Sequence, residues 1–216
     1  MSVGKVYALC LRLTSDIILA EKLTAETFIT TWHNISFFRE DTLFSSWITG
    51  ITTYTILGWI RNNGGIWSDL SHNKLKQSKA GLNRKNPDPF DMNIFSLPDK
   101  ERFVFVLHDI EKYSTEEAAD LLSIGKEELD TILQKAYELL IPPDYTSDGS
   151  VYIESCLNSL PQVIQPEGDI WKNIFTALNQ LQVDAKKLSE QTEESGKEEK
   201  TENKGKKFGF LNWKKK

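Results

Sequence analysis

Apolar side chains recur along this chain at the three-and-four spacing of helices, so the pattern predicts an all-α protein with almost no strand. Residues 96–140 carry three such runs. Phe103, Val104, Val106 and Leu107 mark the first; Ala118, Ala119, Leu121 and Leu122 mark the second. Leu129, Ile132, Leu133, Ala136 and Leu140 mark the third. Ser114 followed by Glu117 is a capping box, in which each side chain satisfies an orphan amide of the other at a helix start. Ser123-Ile124-Gly125 is a tight turn before the last helix. Residues 6–62 carry the same periodicity. There Phe28 and Trp32 lie four apart on one face, expected to be core, and Glu21, Lys22, Ala25 and Glu26 point outward.

The breaks fall between these runs. Asn62-Asn63-Gly64-Gly65 ends the first, Pro87-Asp88-Pro89 precedes the second, and Ile141-Pro142-Pro143-Asp144 closes it. The expected organisation is two small helical domains, 1–63 and 96–142, joined by a basic flexible linker over 64–95. A C-terminal extension follows over 143–182. It holds a short amphipathic helix with Ile170, Trp171, Ile174, Phe175 and Leu178 on its apolar face. Residues 183–216 read as a disordered tail, polar up to a terminal motif of Phe208, Phe210, Leu211 and Trp213 between lysines.

The layout of residues 96–140 is that of a helix-turn-helix, whose last helix would enter the DNA major groove. Three short amphipathic helices also occur in proteins that never touch nucleic acid, and a capping box serves helices of every function. Residues 6–62 weigh on this choice. Ala20, Glu21, Phe28, Trp32, Phe38, Phe44, Trp47, Ile51 and Arg61 stand in register with a known framework. That framework is an Ala-Glu-Asp-x-x-Gln-x-x-Phe-x-x-x-Trp helix, a Phe-rich turn, then Trp-Leu-x-x-Ile and a closing Arg. It resembles the polymerase-binding and −10-reading helices of the extracytoplasmic-function branch of sigma-70 RNA polymerase sigma factors. Leu97, Pro98, Arg102, Phe105, Leu107, Glu117, Ala119, Leu122, Ile124 and Ala136 are similar to the family's −35-reading domain. The two motifs come in family order.

The resemblance implies a non-enzymatic transcription initiation factor that binds core RNA polymerase and directs it to promoters. Glu21, Lys22, Ala25 and Glu26 would dock on the polymerase clamp. Thr53, Tyr54 and Arg61 would face the melted −10 element, and Thr131, Gln134 and Lys135 would be left for −35 contacts. The implied partners are core RNA polymerase, promoter DNA and an anti-sigma factor.

Charge changes this picture. The family's clamp-binding Asp and Gln are Lys22 and Ala25 here, its −10 Asn and Asp are Tyr54 and Gly58, and a basic position is Gly50. Its cation-rich −35 helix is replaced by one opening on Glu127, Glu128 and Asp130. Between residues 99 and 138, eleven Asp or Glu face five Lys or Arg, a balance of −6. Phosphate neutralisation by Lys and Arg supplies most affinity for DNA, so promoter binding through this domain is weakened. The alternative function is therefore a degenerate sigma-fold interaction protein that works through protein partners or a membrane surface.

The whole chain of 216 residues has a net charge of −5, which gives no global field to attract nucleic acid. By contrast, the linker carries Lys74, Lys76, Lys79, Arg84 and Lys85, and the tail carries Lys206, Lys207, Lys214, Lys215 and Lys216. The tail's aromatics between lysines suit an anionic membrane surface or an acidic protein groove. Cys10 and Cys156 fit no metal spacing, and His33, His72 and His108 form no ligand cluster. There is no Gly-rich phosphate loop, nucleophile elbow or paired-acid signature, so no catalytic site, metal, cofactor or small-molecule ligand is expected. The apolar run 6–13 is too short for a signal peptide, and none approaches the ~18 residues that span a bilayer. The expected compartment is the cytoplasm.

Overall fold

A computed structural model describes residues 3–63, 87–166 and 168–195, and these are all-α. Helix α1 (Val3–Thr14) buries every residue except Lys5. A helix buried on nearly every side belongs in the interior, and α1 packs against α2 (Ile17–Asn34) and α3 (Phe44–Asn62). The break between α1 and α2 takes two residues. Ser15 adopts a left-handed φ of 52°, and Asp16 caps α2 by accepting a hydrogen bond from the Leu19 amide at 2.9 Å. Buried threonines are satisfied inside their own helices. The hydroxyls of Thr24, Thr27, Thr31 and Thr52 each donate to the carbonyl four residues back, at 2.6–2.8 Å. Cys10 is enclosed in the same core, and burial pushes its thiol up to about 12.

The second half of the fold begins at α4 (Pro89–Ser96). Asp88 caps it by accepting from the amides of Phe90 and Asp91, and Pro89 supplies a preset φ at the first turn. Helix α5 (Asp99–Phe105) passes into a π-turn at Val106–Ile110, and Phe103 through Leu107 are all buried. The Ser114–Glu117 capping box forms as expected at α6 (Thr115–Leu122). Ser123, at a left-handed φ of 59°, turns the chain into α7 (Lys126–Leu140). Helix α7 packs on α5, α6 and α8 (Gly149–Ser159), and α9 runs from Ile170 to Ser195.

Several expectations are corrected here. The described residues up to Thr176 form one compact unit, which takes in both of the expected helical domains. Long-range polar contacts close it. The guanidinium of Arg12 reaches Asp91 at 2.8 and 3.4 Å, both side chains buried, and donates to the Pro161 carbonyl at 2.7 Å. Buried Arg102 donates to the carbonyls of Leu13 and Leu97 and pairs with Asp99. The end of the expected linker is helix α4, because Asp88-Pro89 is a helix start as well as a break. Helix α8 was not expected. Residues 184–195, expected in the disordered tail, are helical; a run of Ala, Lys, Leu, Glu and Gln sustains helix by propensity without an apolar face. Linker residues 64–86 and tail residues 196–216, with their lysine and aromatic motifs, lie outside the described residues. So does Glu167. The helix from Ala177 to Ser195 belongs to a second unit.

Candidate functional site

Three surfaces carry the residues singled out by the sequence. The first is the outward side of α2. Lys22 and Glu26 are exposed, and Glu21 and Ala25 are half-buried beside them. The inward side of α2 is built from Ala20, Leu23, Thr24, Thr27 and Thr31, a run at helical spacing. Phe28 is half-buried and Trp32 is 43% exposed, so the expected core face was assigned one position off. Aromatic bulk misled that expectation, because the small threonines line the interior instead. Glu21 accepts a hydrogen bond from the Gly168 amide at 3.1 Å. Nothing in the sequence pattern signals that contact, made across 147 residues.

The second surface lies on α3 and the turn before it. Phe38, Phe44 and Trp47 form a cluster with ring centroids 5.1–5.7 Å apart, flanked by exposed Phe37 and Leu43. Trp47, Tyr54 and Arg61 follow at seven-residue intervals, which places them on one stripe of the helix in steps of about 10 Å. Tyr54 is 70% exposed. Gly50 and Gly58 sit along the same stripe, and a Cβ at either would meet nothing within 4 Å. Packing therefore demands neither glycine. Arg61 is exposed and donates to the Leu121 carbonyl at 2.8 Å. Thr53 differs from the outward placement expected of it. It is buried, and its hydroxyl accepts from Tyr113 at 3.4 Å. Thr53 precedes Tyr54 by one position, about 100° around the helix, which turns it inward.

The third surface is the outer side of α7. Thr131, Gln134 and Lys135 line an open hollow with Asp130 and Glu138. Leu129, Leu133, Ala136 and Leu140 take the buried side, as the spacing predicts. Both lysines of α7 are already engaged. Lys135 pairs with Glu101, a nearly buried carboxylate, and Lys126 pairs with Glu116. These hydrogen bonds raise the pKa of both ammonium groups. Glu127 and Glu128 occupy the first turn, where they suit the helix dipole. The surface thus presents acids without an unengaged lysine on α7. Beneath it, the Tyr137 hydroxyl donates to Asp109 at 2.9 Å, and burial with that carboxylate drives the phenol upward.

No group of His, Cys, Asp and Glu among the described residues could hold a metal ion. No described helix is long and apolar enough to cross a membrane.

A family model, Sigma-70 region 2, matches residues 2–65. The chain is 26% identical over 151 residues to the ECF RNA polymerase sigma factor SigW of Bacillus subtilis, covering 63% of this chain and 81% of that protein. It is 30% identical over 132 residues to the ECF RNA polymerase sigma factor SigE of Mycolicibacterium smegmatis, covering 56% of this chain and 49% of the relative. Residues 2–65 match sigma-70 region 2, and the chain is similar to extracytoplasmic-function sigma factors over a longer span. A solved structure of the sigma factor RpoE with the anti-sigma factor NepR from Bartonella quintana is also similar. It has 17% identity and a TM-score of 0.45, covering 64% of this chain and 88% of that one. The region 2 match spans α1 to α3 and so takes in the α2 face and the α3 stripe together.

Proposed function

We propose that this sigma factor binds core RNA polymerase through the outward face of α2 and directs it to promoters by the exposed stripe of α3. The observation that carries this reading is the stripe itself: Trp47, Tyr54 and Arg61 on one side of a region 2 helix, headed by a cluster of exposed Phe44 with half-buried Phe38 and Trp47. Aromatic side chains stack on unpaired bases, each stacked base contributing about 1–3 kcal/mol. The two bare glycines leave room for a strand to approach the helix backbone. Glu21, Lys22, Ala25 and Glu26 make the polymerase contact. Tyr54 and Arg61 act at the −10 element, and Thr131, Gln134 and Lys135 make the remaining −35 contacts. The 1–63 and 96–142 segments act as the two functional modules, and the partners are core polymerase, promoter DNA and an anti-sigma factor, all met in the cytoplasm. The lysine-aromatic tail is assigned to an anionic membrane surface or an acidic protein groove.

The test is capture of core polymerase by the full chain, followed by run-off transcription on genomic fragments. Glu21→Lys with Glu26→Lys should weaken capture while circular dichroism stays native. Tyr54→Ala should leave capture intact and reduce transcript. Capture unchanged in the double variant would remove α2 as the docking face.

One observation favours a second reading, in which the sigma fold serves protein partners alone. The α7 surface is acidic and both of its lysines are paired. Capture of core polymerase with no transcript from any genomic fragment, and no duplex binding by the parent, would support that reading.

A further inference from the structure

The chain beyond α8 returns across the whole molecule to its first two helices. Leu160 and Ile164 are buried, and so are Ile170 and Ile174 at the start of α9. Three polar contacts fasten the intervening segment in order along its length. The Pro161 carbonyl accepts from Arg12 at 2.7 Å, the Ile164 amide donates to the Gly4 carbonyl at 3.1 Å, and the Gly168 amide donates to Glu21 at 3.1 Å. Two glycines permit so close an approach. A Cβ on Gly4 would lie 2.5 Å from Val163 Cγ1 and 3.0 Å from the Ile164 carbonyl oxygen. A Cβ on Gly168 would lie 2.7 Å from the Glu21 carboxylate. The last contact engages a residue of the outward α2 face, which is otherwise open at Lys22 and Glu26.

We infer that residues 160–166 together with Gly168 are an autoinhibitory strap that holds the start of α2 closed, and that core RNA polymerase must displace it to bind. The inference rests on the reading of α2 as the docking face. Physically, the contact is suited to exchange. Its anchor at Glu21 is a single hydrogen bond at the surface, which a competing donor replaces at little cost. The buried apolar anchors set how much of the population is closed. A protein whose competent state is a minority binds more weakly by that fraction.

Hydrogen exchange on the full chain, alone and bound to core polymerase, tests this directly. The peptide spanning 160–168 should be protected in the free chain and exchange faster in the complex. Gly4→Ala should push the strap off without harming α1, since alanine is the better helix former, and should tighten core binding by about tenfold, the size of a closed-state penalty of one decade. Core binding with protection of 160–168 unchanged or increased would overturn the strap while leaving the docking face standing. The strap is equally overturned if Gly4→Ala frees the segment by exchange yet binds core no more tightly. Glu21→Lys with Glu26→Lys in the Gly4→Ala background tests the docking face separately. Full core affinity there would remove that face, and the strap with it.

Discussion

Arg12 is the residue on which most of the closed unit converges. Its guanidinium joins α1 to α4 through Asp91 and to the returning chain through Pro161. Asp91 is buried to 1% exposure, so losing Arg12 removes a buried cation from a buried carboxylate. Arg12→Met should cost about 3–5 kcal/mol in urea unfolding. Arg12→Met with Asp91→Leu should recover most of it, because an apolar pair of similar volume replaces a buried ion pair at small cost. A double variant no more stable than the single one would show that the pair is not the source of the loss. A second residue sets a pH dependence. Burial raises the Glu111 carboxyl, against the pull of Lys5 and Arg12. A raised folded pKa means the associated stability is complete below the ordinary glutamate range, about 4.3, and is lost as pH rises through the folded value. Glu111→Gln should therefore gain on the parent between acid and neutral pH, read as urea midpoints across that window. A constant difference would sink the argument. Little of this was legible in the sequence. Ser114 and Glu117 are three apart and announce their contact. Arg12 and Asp91 are 79 apart, and no periodicity links them.

At the scale of elements, the sequence spoke clearly wherever apolar spacing met a cap. Helices α6 and α7 are the best case, with their turn, their buried faces and their capping box all readable in advance. Helix α4 was hidden because Pro87-Asp88-Pro89 reads first as a breaker. The inward face of α2 was missed because threonine is read as polar, whereas its hydroxyl can be satisfied within the turn above and its methyl buried. The helices that carry the three candidate surfaces follow from apolar spacing, but the inward turn of Thr53 and the engagement of Glu21 depend on tertiary packing. Two predictions belong here. Gly50→Ala and Gly58→Ala should each stabilise α3 by about 0.8–1.0 kcal/mol, since their Cβ atoms meet open space. Thermal melts give the stability. If these glycines make room for a strand, the same variants should lower open-complex formation on promoter DNA despite the gain. On α7, Glu128→Lys with Asp130→Lys should raise duplex affinity and steepen its salt dependence, by about 0.9 in log–log slope per added phosphate contact. A slope equal to the parent's would mean the outer side of α7 never meets phosphate.

For the whole molecule, the sequence separated what the fold joins. Two helical modules with breakers between them read as independent bodies, and the polar contacts that merge them are distant in sequence. Arg102 and Arg12 tie the end of α1 to the second half, and Arg61 ties α3 to α6. These are side chain contacts with carbonyls or a single carboxylate, which leave no repeating trace. The arrangement also orders the birth of the protein. Helix α1 is mostly apolar and is buried everywhere but at Lys5, yet Arg12 meets Asp91 only 79 residues later and Pro161 only 149 residues later. A ribosome making this chain has therefore synthesised nearly all of the compact unit before its first helix is fully covered. Until then α1 is an apolar segment of the kind that chaperones hold and that aggregates when they do not. A messenger cut short before Pro161 would release a chain whose earliest helix has no finished home.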